Sequence, residues 1–185
     1  MLMQTTLEGN DCAGTFGIPF ASCTVQDADG NSVSPIIVKY DYENGSTTEI
    51  NSALYPSFTG DEISINLEDQ SWTYDRGEND PGIRFWTAKG GPDFNLFWYV
   101  EEDTVGDACD SIYSLACLQQ ALVVEGSTWS TPINPANDQP YGLSHLAFYN
   151  TDMTVSVPEP GTAALLLSGL MGLIMARRRQ NKLQA

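Results

Sequence analysis

Sixteen consecutive uncharged residues, Gly161 to Ala176, run directly into Arg177-Arg178-Arg179. A globular core has no natural place for such a run. A helix with leucine on every face offers water no polar side, and three adjacent cations at its end need solvent or headgroups. As a helix rising about 1.5 Å per residue the run reaches roughly 24 Å, short of a hydrocarbon core of about 30 Å. The arginines extend that span by snorkelling, and Pro158 and Pro160 disfavour helix upstream. The chain therefore divides into a domain, residues 1–156, and an appendage, residues 157–185, whose helix is expected over 161–176 and whose basic end is 177–185. Arg177, Arg178 and Arg179 are the expected membrane stop.

Charge separates the two parts. The chain of 185 residues carries a formal net charge of -16, with 23 acidic and only four basic side chains (Lys39, Arg76, Arg84, Lys89) before Pro158. The other cations follow the apolar run, so the positive-inside rule puts the C-terminus in the cytoplasm and the acidic domain outside. Nucleic acid is excluded as a partner, because its binding depends on neutralising phosphates with lysine and arginine. The length suits one domain. Its four Trp, eight Tyr and seven Phe supply enough apolar surface to offset the entropy of ordering it.

Pro158-Glu159-Pro160, a short apolar helix and a terminal arginine cluster, in that order at the C-terminus, resemble the PEP-CTERM sorting signal of Gram-negative bacteria. The resemblance implies export, transient anchoring in the inner membrane with the domain outside, cleavage near Pro158, Glu159 and Pro160 by an exosortase, and delivery to the cell surface or extracellular matrix. Those three residues are then a recognised motif and catalyse nothing. Proline on both sides of Glu159 keeps the segment extended, which suits a protease. The stretches Asp80 to Trp98 and Gly142 to Tyr149 are also similar to ectodomains that carry this signal. An exported chain is expected to open on a basic and then an apolar segment, whereas Met1-Leu2-Met3-Gln4 passes straight to Thr5-Thr6-Leu7-Glu8-Gly9, so the favoured reading is a true start further upstream.

Cys12 and Cys23 flank a glycine-rich segment, and Cys109 and Cys117 flank a second short one. Four cysteines permit three connectivities, and spacing alone does not choose among them. Local pairing, Cys12 with Cys23 and Cys109 with Cys117, is preferred; each bridge would add roughly 2 to 3 kcal/mol on the chain-entropy model. Free buried thiols are the alternative. Neither spacing suits paired zinc ligands, and only His145 could complete a mixed site, so no metal and no cofactor is expected.

The domain reads as strands and turns. Ile36, Val38, Tyr40 and Tyr42 alternate with Ile37, Lys39 and Asp41, the period of a sheet with one buried face. Asp29-Gly30 and Asn44-Gly45 bracket that strand as hairpin dipeptides. Ile63 to Leu67, Trp72 to Tyr74, Ile83 to Lys89, Val123, Thr128 to Thr131, Leu143 to Tyr149 and Met153 to Val157 supply further strand segments. Phe94 to Val100 is apolar on both faces and belongs inside a sheet. Ser111 to Leu122 alone suggests a helix. A β-sandwich of jelly-roll or Greek-key type is the expected fold.

Catalytic signals are sparse. There is no Gly-x-Ser-x-Gly elbow and no phosphate loop. Ser144 and His145 are adjacent on a strand and point to opposite faces, so His145 reads as structural. Asp27-Ala28-Asp29-Gly30-Asn31 resembles the opening of a calcium loop, but it lacks the distant bidentate glutamate and also reads as a hairpin turn. Trp86, which alternates with Arg84, is the tryptophan to watch as a sugar platform. The leading expectation is a non-catalytic surface or matrix protein whose partners are an exosortase and, transiently, the inner membrane. A secreted carbohydrate-binding module, calcium-assisted or not, with extracellular polysaccharide as partner is the alternative, and a hydrolase is third.

Overall fold

The computed structural model describes residues 1–43, 45–104 and 108–150, which belong to one compact unit, Met1–Asp152. It is mainly β and sandwich-like, built on a curled antiparallel sheet. The strands are β1 (Leu2–Glu8), β2 (Thr24–Gln26), β3 (Ser32–Asp41), β4 (Thr47–Ile50), β5 (Ile63–Asn66), β6 (Ser71–Tyr74), β7 (Phe85–Gly90), β8 (Asp93–Tyr99), β9 (Gly126–Thr128), β10 (Ile133–Asn134), β11 (Gln139–Pro140) and β12 (Leu143–Tyr149), with one helical turn, α1 (Leu115–Leu118). Seven strands form the main sheet in the order β1-β8-β7-β12-β3-β2, with β4 also on β3; β5-β6-β9 and β10-β11 form two smaller sheets.

The middle of the main sheet is covered on both faces, because β7, β8 and β12 are buried along nearly their whole length. In β8, Phe94, Leu96 and Trp98 enter one core while Phe97 enters the other, the alternation a pleated strand imposes. The first core is completed by Cys12, Phe16, Cys23, Cys117, Leu118 and Ala121, which come from two disulfide-bridged loops and the residues just after the second. The second is completed by Ile63, Trp72 and Tyr74 of the small sheet, with Tyr55, Phe58 and Trp129. The result is a sandwich of unequal sheets with a loop layer on its far side. As expected, the doubly apolar strand is internal: β8 lies between β1 and β7.

A bulge corrects the alternation read for β3. Ile36 pairs with Tyr149 but Val38 with Phe148, a register shift that leaves Ile37 extra. The additional residue rotates the strand locally. Ile36 consequently joins the first core with Tyr149, whereas Ile37 and Val38 both join the second.

The expected helix over Ser111 to Leu122 contracts to the four residues of α1, capped where the Cys117 amide donates to Ser114 Oγ. Val123 lies outside any strand; the neighbouring Val124 makes an isolated bridge to Ile83. β9 stops at Thr128, because Trp129 turns into the core and donates its amide to the Gln70 carbonyl. Leu2–Glu8, which the sequence reading did not assign, pairs with β8 over its whole length. The Met153 to Val157 segment, Pro158, Glu159 and Pro160, the expected helix at 161–176 and Arg177 to Arg179 lie outside the described residues. Among the described residues no helix is long and apolar enough to cross a membrane.

The β7–β8 turn is tight: Gly90 pairs with Asp93, and Gly91 stands at φ 62° between them. A Cβ on Gly91 would lie 2.6 Å from the Tyr141 ring. Gly91→Ala therefore combines a left-handed conformation with a steric clash, and is expected to destabilise the domain by about 2 kcal/mol. A urea midpoint equal to that of the parent protein would refute this.

Candidate functional site

The most polar buried constellation centres on Asp11, in the loop between β1 and β2. Phe16 anchors this loop with edge-on contacts to Phe94 (5.2 Å) and Tyr149 (5.9 Å), and the Cys12–Cys23 bridge closes it. Asp11 is thereby pressed onto the sheet with no solvent exposure. Four donors converge on its carboxylate. Oδ1 accepts from His145 Nε2 at 2.7 Å and from the Cys12 amide at 2.7 Å. Oδ2 accepts from Thr87 Oγ1 at 2.6 Å and from the Tyr149 hydroxyl at 3.1 Å. Burial alone would raise the Asp11 pKa, but the His145 contact, then Thr87 and the Cys12 amide, overcome it and hold the group at about 2. Burial, reinforced by Asp11, pushes the Tyr149 phenol well above its ordinary range, so it remains a donor.

This arrangement has the residue types of an acid–base site but none of the access. Asp11, Thr87 and Tyr149 are fully buried and His145 nearly so. What the four groups do in this geometry is join a loop to β7 and β12 through one desolvated anion. His145 is structural, as its sequence context suggested. Ser144 reaches a different partner, Glu43 Oε2 at 3.0 Å. Nothing in the sequence marked Asp11; it precedes a cysteine and lies far along the chain from all three side chains that bind it.

The other singled-out residues fall into ordinary roles. Asp27 makes a closed turn: its carboxylate accepts from the Asp29 amide (3.0 Å), the Asn31 amide (2.7 Å) and Asn31 Nδ2 (2.8 Å). These bonds, the Asn31 side chain foremost, hold Asp27 below the usual carboxylate range. The Asp27 carboxylate, first of the residues read as a calcium loop, thus spends its oxygens on the amides of its own turn. Among the described residues no group of three or more His, Cys, Asp or Glu could hold a metal ion. All four tryptophans are buried. Trp86 stacks on Phe97 (centroids 5.6 Å, 10°) and donates Nε1 to the Thr128 carbonyl, which removes it as a sugar platform. Both disulfides pair locally, Cys12 with Cys23 and Cys109 with Cys117, so every cysteine of the chain is bonded.

One cleft of about 430 Å³ opens between the turn after β5, the end of β9 and the β10–β11 hairpin, and Tyr42, Leu67, Gln70, Trp129, Gln139 and Tyr141 are among its lining.

Beyond the described domain, residues 156–179 match a family model, that of the PEP-CTERM protein-sorting motif. The chain carries a PEP-CTERM sorting motif. The match spans Pro158, Glu159, Pro160, the whole uncharged run and Arg177 to Arg179, the three parts on which the resemblance was drawn. The PEP-CTERM motif indicates an exosortase-processed protein directed to the surface or exterior. No curated protein and no solved structure matches the chain.

Proposed function

We propose that this is a non-catalytic structural protein of the cell surface or extracellular matrix, sorted by its C-terminus. Residues 161–176 cross the inner membrane with Arg177, Arg178 and Arg179 on the cytoplasmic side, and an exosortase cuts near Pro158-Glu159-Pro160. The observation that carries this reading is the sorting-motif match at residues 156–179. Two further features support it. Every cysteine is in a disulfide, as befits an oxidising compartment. The buried Asp11–His145 pair is sealed from solvent, and a sealed pair serves a wall, not a reaction.

The test is mass spectrometry on the protein recovered from the cell surface and medium of the producing bacterium. The expected result is a mature form that ends near Pro158 and lacks the peptide containing Arg177 to Arg179. An extracellular form with its arginine-rich end intact would overturn the proposal.

A further inference from the structure

We propose that the cleft lined by Tyr42, Trp129 and Tyr141 binds a short stretch of a neutral polysaccharide. This names a partner for the surface protein proposed above and rests on that reading only for where the partner is met.

The lining of the cleft contains no charged side chain, although the domain around it holds 23 acidic groups. A site for a cation would draw on that supply, and a site for an anionic glycan would need lysine or arginine to offset the field of the domain. Neither is present in the lining. What the cleft offers instead is ring surface and amides. Tyr42 and Tyr141, both half-buried, present aromatic carbon beside the buried Trp129, and Gln70 and Gln139 each present a donor and an acceptor. A sugar ring has the matching character, apolar C–H faces with hydroxyls around the edge. Leu67, 51% exposed, adds an uncovered apolar wall.

The cleft is also rigidly formed. The Tyr141 ring lies over Gly91, where a Cβ would approach it to 2.6 Å, and the Tyr141 amide donates to the Pro132 carbonyl at 3.0 Å. Gln70 is held at φ 51°, a conformation non-glycine residues rarely adopt, by the Trp129 amide bond to its carbonyl at 2.8 Å. The backbone that carries Gln70 and Tyr141 is thus fixed in advance, which limits the entropy lost on binding. At about 430 Å³ the cleft falls within the ~300–1,000 Å³ typical of ligand sites. Gln139 and Pro140 at its rim are exposed, so a chain can enter and leave at the surface.

The experiment is affinity electrophoresis of the full chain, held in a zwitterionic detergent without a sugar headgroup, on native gels containing dextran, mixed-linkage β-glucan or mannan, with alginate as the anionic comparison. At least one neutral polymer is expected to retard the protein. Tyr141→Ala should weaken that retardation roughly ten-fold, as loss of a central aromatic contact does. Leu67→Asp, at an exposed position that leaves the core intact, should weaken it comparably and keeps the test informative if Tyr141→Ala fails to fold. No retardation by any neutral polymer, retardation by alginate alone, or unchanged retardation in the folded variants would each overturn the proposal. Because the assay uses purified protein, such a failure leaves the sorting reading intact, and failure of sorting in cells leaves the cleft intact.

Discussion

Asp11→Ala is expected to cost about 4 kcal/mol of folding stability, a large share of the roughly 5–15 kcal/mol available to a domain. The carboxylate is the common acceptor for His145 Nε2, Thr87 Oγ1, the Tyr149 hydroxyl and the Cys12 amide, and its removal strands all four without water to replace it. Each orphaned buried donor is penalised by its lost solvation. The same anion sets a pH dependence whose sign follows from its pKa. Asp11 is held at about 2, below its ordinary 3.8, so its contribution is fully present above about pH 4 and is lost as pH falls toward 2, by about 2 kcal/mol in all. Urea denaturation between pH 6 and 2 of the parent protein and of Asp11→Asn isolates that component. Equal stability of parent and Asp11→Ala at pH 6, or parallel pH curves for parent and Asp11→Asn, would remove the anion from its central role.

Truncation after Val157 is expected to abolish membrane association altogether. The segment removed contains Pro158-Glu159-Pro160, the uncharged run and the terminal cations, nearly all of the sorting motif at 156–179. Gly161 to Ala176 is the longest uncharged run of the sequence, and with it removed the acidic domain is left facing a bilayer that itself bears negative charge. Fractionation of cells expressing the full and truncated chains reads the outcome directly: the full chain should appear in the membrane fraction before processing, the truncated chain only in soluble fractions. Identical distributions would mean that the tail is not an anchor.

Particular residues show what was legible in the sequence. The alternation of Phe94 to Val100 announced a strand buried on both faces, because burial on two faces and apolarity at every position are the same fact. Gly45 announced a turn, since a φ of 99° suits glycine and few other residues. The bulge at Ile37 was invisible: it follows from the opposing strand β12, more than 100 residues away, and period-two alternation looks regular across it. Leu2–Glu8 was missed for a related reason. With threonine and glutamine between its apolar residues it is a weak strand by itself, and it is fixed by pairing with β8. Asp11 and the cleft around Tyr141 share that character. Both are assembled from distant segments, so the only local trace was a residue type, and residue types such as Asp or Tyr are common. The sorting motif was legible because it is linear: its three parts act in order along the chain and need no tertiary partner.

The strand order also dictates when the domain can finish folding. β12, the last of the described strands, lies between β7 and β3 and bonds to both, so two halves of the main sheet stay apart until residue 149 has been made. Only after that can the middle close, and its long-range pairings are the slow ones. Seven residues later the sorting signal begins. A polypeptide made N-terminus first therefore reaches its address label almost at the moment its architecture becomes completable, which keeps the unfinished sheet threadable for nearly all of its synthesis.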